Sequence, residues 1–282
     1  MAPSTRPLIL PATLVVAALM LAPLALLARY SLNQYSPTEL MLEAITLQNY
    51  ADAVADPYYR AVLATTLWIA AACMAISLVA AFPAAYALAR MTGRGKSILI
   101  LVTVFPLMVG NVVRAAGWMV LLGQGGVVNA ILRGLGLASG PVQLIYTRGA
   151  VIVGIVTVVL PYMILTLAAV LEGIAPALED AAANLGARPL TVFRRVILPL
   201  AAPGIAAGCA LVFILCMNSF ATPILLGGPQ FQMMAPAVYD QFVRATNWPF
   251  GAALAFILLA ATLGLTLAGT TLLSRRQADT FG

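Results

Sequence analysis

Six apolar stretches, each long enough to cross a lipid bilayer, constrain this chain more than any other feature. They lie at about 8–28, 61–88, 98–122, 149–171, 203–226 and 250–273. A helix rises ~1.5 Å per residue and a bilayer core is ~30 Å thick, so about twenty apolar residues span it. Backbone N–H and C=O groups find no water there, so segments of this length cross as helices. Composition agrees, with 62% of the 282 residues hydrophobic and 9% charged, against about a quarter charged in soluble domains. Prolines stand in five of the six stretches (Pro11, Pro23, Pro83, Pro106, Pro161, Pro203, Pro223). In a bundle, neighbouring groups satisfy the carbonyls that a proline frees. The first stretch exceeds the ~7–15 residues of a signal-peptide core and no clear small-x-small site follows, so it is expected to remain as a span. The expected fold class is an all-α integral membrane protein of about six transmembrane helices.

Several chemistries are excluded at once. Without a histidine the chain has no His general acid or base and no His metal ligand. Cys73, Cys209 and Cys216 lie singly within apolar runs, which reads as packing and not as a metal or redox site. No GxxxxGK[ST] phosphate loop occurs, so ATP chemistry cannot belong to this chain. The net charge of +6 comes from arginines scattered between spans, which reports topology and implies no nucleic-acid partner.

With the N-terminus inside, Arg6, Arg90, Arg94, Lys96, Arg188, Arg194, Arg195, Arg275 and Arg276 fall on the cytoplasmic side. Arg29, Arg60, Arg133, Arg148 and Arg244 fall outside, and Arg114 lies within the third span. The positive-inside bias thus places the loops at 90–97 and 172–199, and both termini, in the cytoplasm. The outer loops, about 29–60, 123–148 and 227–249, are longer and richer in Gly, Pro, Asn and Gln.

The 172–199 loop is the one compact charged segment, and it reads as two short helices joined by a sharp turn. Pro176 suits the first position of a helix. Leu178, Ala181, Ala182 and Leu185 form an apolar stripe at i, i+3, i+4 and i+7. Glu179 and Asp180 sit in its first turn, complementing the helix dipole, and Gly186 is placed as its stop. Pro189 opens a second helix with Leu190, Phe193 and Ile197 on one face and Arg194 and Arg195 in its last turn. Pro199 is expected to end it. Helices of ten residues are marginal alone, so the pair is expected to dock, on the bundle, on the lipid interface or on a cytosolic partner.

The spacing Asp180-Ala181-Ala182, Gly186, Val196 and Leu198-Pro199 resembles the cytoplasmic "EAA" signature of permease subunits in binding-protein-dependent ABC importers. Two departures are conservative: Asp180 stands for the usual Glu and Val196 for the usual Ile. The segments Arg114-Ala-Ala-Gly-Trp118, Leu121 to Asn129, Phe220 to Gly228 and Asn247 to Gly251 resemble the polyamine-type branch of these permeases, and the resemblance covers roughly residues 60–270. It implies a type I importer permease in the bacterial inner membrane, with residues 1–60 as an added helix and outer loop. Residues 61–273 would be the permease domain and 274–282 a cytoplasmic tail. It further implies a second permease, identical or homologous, two cytosolic ABC ATPases that hold ATP and magnesium, and a periplasmic binding protein delivering a small organic solute, polyamine-like in that branch. No cofactor is implied in this chain. The coupling residues carried over are Glu179, Asp180, Ala181, Ala182, Gly186, Arg188, Phe193, Leu198 and Pro199.

Polar groups within spans are costly and become candidate pathway residues. These are Asn111, Arg114, Trp118, Tyr162, Asn218, Phe220 and Thr222, with Ser219 beside them. Arg114 has the alternative of snorkelling or pairing with a carbonyl, Trp118 and Tyr162 of packing or interface anchoring, and Asn111, Asn218, Ser219 and Thr222 of bonding between helices. Asp240 and Trp248 border the outer face, where a binding protein would dock. A secondary transporter or channel subunit working without an ATPase is the competing function.

Overall fold

A computed structural model describes residues 6–281, with the side chains of Pro11 and of residues 13–271. In chain order it contains α1 (Arg6–Ser31), a hairpin of β1 (Gln34–Ser36) and β2 (Leu40–Leu42), α2 (Gln48–Ala55), α3 (Pro57–Arg90) and α4 (Gly93–Val104). There follow α5 (Asn111–Leu122), α6 (Val127–Gly134), α7 (Arg148–Glu172), α8 (Pro176–Asn184), α9 (Pro189–Val192), α10 (Leu198–Met217), α11 (Ala221–Gly227), α12 (Met234–Val243) and α13 (Trp248–Phe281). Six helical segments among the described residues are long and apolar enough to cross a membrane. The side chains of Arg6, Arg275 and Arg276, and of the 274–282 tail, lie outside the described residues.

Two of the expected spans differ from the sequence reading, both for backbone reasons. The third, expected as one helix over 98–122, is broken. α4 runs into a 3-10 turn at Phe105–Met108, Val109 and Gly110 are extended, and α5 starts at Asn111. Pro106 offers no N–H and crowds the preceding turn, and Gly110 supplies a flexible joint. The fifth, expected over 203–226, begins at Pro189 and stops at Met217, with α11 a separate helix beyond.

Pro199 does not end the helix that starts at Pro189. A π-turn at Phe193–Ile197 carries α9 into α10, and the Leu198 N–H donates to the Phe193 carbonyl five residues back. In a regular α-helix the Pro199 ring would collide with the carbonyl of Arg195; the widened turn removes that collision. The outer loops are also more regular than expected, since they hold the hairpin, α2, α6 and α12.

The chain divides into two compact units. The first takes the described residues up to Ala61 with Ala237–Ala260. Here Asn49 donates to the carbonyls of Ser31 (2.9 Å) and Asn33 (2.8 Å), tying α2 to the end of α1. Tyr59 packs edge-on to Phe250 and accepts a hydrogen bond from Gln241 at 2.9 Å. The apolar window of α1 has none of its residues buried within the chain.

The second unit takes Val62–Pro236 with the described residues from Ala261 on. Its centre is the crossing of α7 and α10, where small residues let the backbones approach. A Cβ on Gly204 would lie 2.4–2.8 Å from three carbons of Val170, and one on Gly208 2.9 Å from the Met163 sulfur. Gly154 on α7 likewise admits α11, because a Cβ there would lie 2.5 Å from Leu226 and 2.6 Å from Thr222. Cys73 and Cys216 are buried free thiols.

Candidate functional site

The broken third span, α7, α10 and α11 enclose a cavity of about 360 Å³. Asn111, Arg114, Tyr162, Asn218, Ser219, Phe220 and Thr222 all line it, so side chains up to 111 positions apart in sequence share one wall. Tyr162 lies about 21 Å along α7 from Arg148 and about 15 Å from Glu172, at ~1.5 Å per residue, close to mid-depth. Six of these seven were named as pathway residues from the sequence, with Ser219 beside them. The seventh named residue, Trp118, is absent from the lining. Its indole N–H donates to Thr157 at 3.1 Å, holding α5 to α7.

Arg114 stands in the first turn of α5 and closes the break before it. Its guanidinium donates to the Pro106 carbonyl, to the Val109 carbonyl at 2.9 Å and to Asn111 Oδ1 at 3.3 Å. The Pro106 carbonyl also accepts the Val109 N–H of the 3-10 turn at 3.2 Å, so the arginine adds a charged donor there and supplies one to Val109, in the extended joint before α5. The arginine thus bridges the break and also places a positive charge on the cavity wall. Among the described residues, no carboxylate lines that wall. Asn218 caps the end of α10 by donating to Ile214 at 2.9 Å.

About 30 Å along α10 from Asn218, at ~1.5 Å per residue, the charged segment forms a bracket of α8, a turn and α9. Pro176 opens α8. The Gly186 N–H donates to Ala183 (2.9 Å) and the Ala187 N–H to Ala182 (3.1 Å), with Gly186 at φ +81°. This is the paired hydrogen-bond pattern of a glycine helix stop. Asp180 falls one residue past the first turn, where Glu179 is the only acid.

The apolar stripe of α8 is largely open among the described residues, with Leu178 47% and Leu185 89% exposed. Ala181 and Asp180 are exposed too, while Ala182 is half-buried. On the second arm Arg188 and Leu198 are exposed and Pro199 half-buried. The expected common face of Leu190, Phe193 and Ile197 splits. Leu190 is 59% exposed, Ile197 is buried, and Phe193 packs edge-on to Phe82 of α3 at 5.1 Å. The buried face is instead Val192 with Ile197, because the π-turn rotates the helix beyond it.

Glu179 points into the protein. Arg90 at the end of α3 forms an ion pair with it, and the Tyr86 hydroxyl donates to its Oε2 at 2.6 Å. Lys96 pairs with Glu172 at 2.9 Å nearby. The sequence reading missed Tyr86 altogether and took Arg90 only as a topology marker, because their partner lies some ninety residues away. Of the outer-face candidates, Asp240 pairs with Arg244 at 3.3 Å, and Trp248 stands between Tyr30 and Phe242 at 6.5 and 6.4 Å. Asn129 was likewise missed as a structural lock. Fully buried, it donates to Gly123 and Val142 (3.0 Å each) and accepts from the Val142 N–H at 2.8 Å.

A predominantly helical membrane protein with a polar cavity near the middle of α7 and an exposed helix–turn–helix bracket is the architecture of a permease subunit of an ABC importer. Residues 44–277 match the family described as binding-protein-dependent transport system inner membrane component, and the chain belongs to that family. It is 35% identical over 222 residues to the spermidine/putrescine transport system permease protein PotB of Escherichia coli, covering 79% of this chain and 80% of that one. To the PotB protein of Haemophilus influenzae it is 33% identical over 235 residues, 82% of each chain. Among solved structures it resembles a bacterial alginate ABC transporter in complex with alginate pentasaccharide-bound periplasmic protein, with a TM-score of 0.80 and 17% identity over 96% of this chain and 94% of that one. A methionine ABC transporter in an inward-facing conformation gives a TM-score of 0.57 at 17% identity, covering 78% and 98%.

Proposed function

We propose that this permease forms one half of a membrane pathway, paired with a second, homologous or identical permease and driven by two cytosolic ABC ATPases docked on its bracket. Both termini and the bracket lie in the cytoplasm, in keeping with the arginine distribution. A periplasmic binding protein delivers the solute from outside, with Asp240 and Trp248 as its candidate contacts on this chain. ATP and magnesium belong to the ATPases, and this chain carries no cofactor of its own.

The observation that carries this reading is the unbroken helical path from Pro189 through the π-turn to Met217. It joins the uncovered bracket to the cavity wall at Asn218. A push on α9 is therefore transmitted along one rod to the residues that would meet the solute. Leu178, Leu185 and Leu190 offer the small apolar contact face that an ATPase cleft needs.

The solute is a small organic molecule, and a polyamine is the first candidate because the PotB relatives carry that name. On this chain's wall a polycation would meet amide and hydroxyl oxygens and the rings of Tyr162 and Phe220, which attract cations through their π-faces. It would meet no acid, and Arg114 would repel it. Cation selection therefore falls mainly to the binding protein and the second permease.

Reconstitution in liposomes tests the reading. Uptake of labelled spermidine should require ATP, both ATPases and loaded binding protein. Leu185→Arg should leave the chain inserted but lose the ATPases on purification. ATP-independent uptake by the chain alone would instead establish a secondary transporter or channel.

A further inference from the structure

One guanidinium joins three helices at the bracket. Arg90, the last residue of α3, donates through Nε to Glu179 Oε1 at 3.0 Å and through Nη2 to the same oxygen. Its Nη1 donates to the carbonyls of Leu171 (3.1 Å) and Ile174 (3.2 Å). Leu171 belongs to the last turn of α7, and Ile174 to the link between α7 and α8. Tyr86, one turn earlier on α3, donates to the other oxygen of Glu179, and its ring lies 5.5 Å from the Arg90 guanidinium.

The arrangement exceeds what α8 needs in order to form. That helix has its own start at Pro176 and its own stop at Gly186. What α8 lacks is a stiff attachment. Only residues 173–175, beginning with a glycine, connect it to α7, and Leu185 at the end of its stripe is 89% exposed. A cation at the end of α7 complements the dipole there and adds a charged donor to the carbonyls of Ile174 and of Leu171, the latter also accepting the Ile174 N–H at 3.2 Å. A planar fork of five donors can do this and hold a carboxylate at once, whereas the point charge of a lysine cannot. The side chains of Arg90 and Glu179 are only 19% and 17% exposed, so water competes less for the pair than on an open surface.

We infer that Arg90 and Glu179 are a coupling latch: positioning residues that make α8 move as one body with the ends of α3 and α7. This rests on the bracket being the element the ATPases push. Without the latch, α8 swings on its link at Gly173, and the push reaches α10 alone. With it, the same displacement is delivered to three membrane helices together. Glu179 then acts on the bundle side of the bracket and makes no ATPase contact.

The test uses the complete transporter in liposomes, with Glu179→Gln, Arg90→Lys and the two combined. Glu179→Gln leaves Arg90 on the Leu171 and Ile174 carbonyls, so α3 stays tied to α7 and the bundle keeps its fold. The ATPases should co-purify in unchanged stoichiometry, while solute imported per ATP should fall by roughly fivefold or more. The double variant should be no worse than the worse single one, because both break the same link. Unchanged solute per ATP in Glu179→Gln, or additive losses in the double variant, would overturn the latch. Loss of the ATPases from the Glu179→Gln complex would also overturn it, by making Glu179 a direct docking contact. The docking reading fails separately, if Leu185→Arg retains its ATPases.

Discussion

Gly186 tests whether the bracket works as a rigid turn. It sits at φ +81° directly after α8, and a Cβ at this position would meet nothing within 4 Å. Substitution therefore acts through the backbone alone. An L-residue in the left-handed region costs ~1–2 kcal/mol, with Asn tolerated best and β-branched residues worst. Relaxing to negative φ instead abandons the hydrogen bonds to Ala183 and Ala182, each contributing ~0.5–1.5 kcal/mol. Gly186→Val should thus cost about 2 kcal/mol or more, Gly186→Ala somewhat less, and Gly186→Asn little. One to two kcal/mol is a factor of about 5–30 in the population of the formed turn. All three variants should insert and purify normally, since the spans are untouched. In liposomes, ATP-driven uptake per ATP hydrolysed should rank Gly and Asn above Ala and Ala above Val. Full coupling in Gly186→Val would refute the rigid-turn argument. Asn as poor as Val would refute the conformational cause, pointing to a partner surface that rejects any side chain.

Gly204→Ala places a methyl 2.4–2.8 Å from Val170, well inside the ~3.5–4.0 Å of ordinary contact. It should lower the melting temperature of the purified protein, at a cost of ~1–3 kcal/mol, with Val170→Ala restoring it; an unshifted melting point would contradict the close crossing. Arg114→Leu removes the charged donor that the Pro106 and Val109 carbonyls share, each such bond being worth ~1.5–3 kcal/mol, although Pro106 keeps the Val109 N–H. Uptake and thermal stability should both fall, with Arg114→Lys intermediate, and a fully stable, fully active Leu variant would remove Arg114 from the architecture of the break. Asn129→Ala removes the side-chain partner of the Val142 N–H and carbonyl, while Gly123 keeps its bond from the Gly126 N–H, at ~0.5–1.5 kcal/mol per lost bond. Proteolysis of the 123–148 loop should accelerate, and an unchanged cleavage rate would refute the lock.

Much of this protein is legible in one dimension because the bilayer enforces simple rules. Twenty apolar residues must be helical there, and the segments around 61–88 and 149–171 appear in the structure within a few residues of their expected ends. The start of α8 at Pro176 and its stop at Gly186 were equally readable, since caps and left-handed turns depend on local backbone chemistry. The pathway candidates were found for a related reason: a polar group in an apolar run is conspicuous, and six of the seven line one cavity.

Tertiary structure decided what local rules leave open. Pro199 reads as a helix stop, yet a π-turn five residues long carries the helix past it and makes one continuous rod from the bracket to the cavity wall. Pro106 reads as a tolerated kink, yet its span breaks there, and Arg114 from beyond the break bonds the Pro106 and Val109 carbonyls across it. Glu179 reads as a helix-dipole residue or an ATPase contact, but its partners Tyr86 and Arg90 lie 93 and 89 positions away. Composition and periodicity carry no information about such pairings. Where a buried charge finds its partner depends on which helix ends the packing of small residues, such as Gly204 on Val170, brings together.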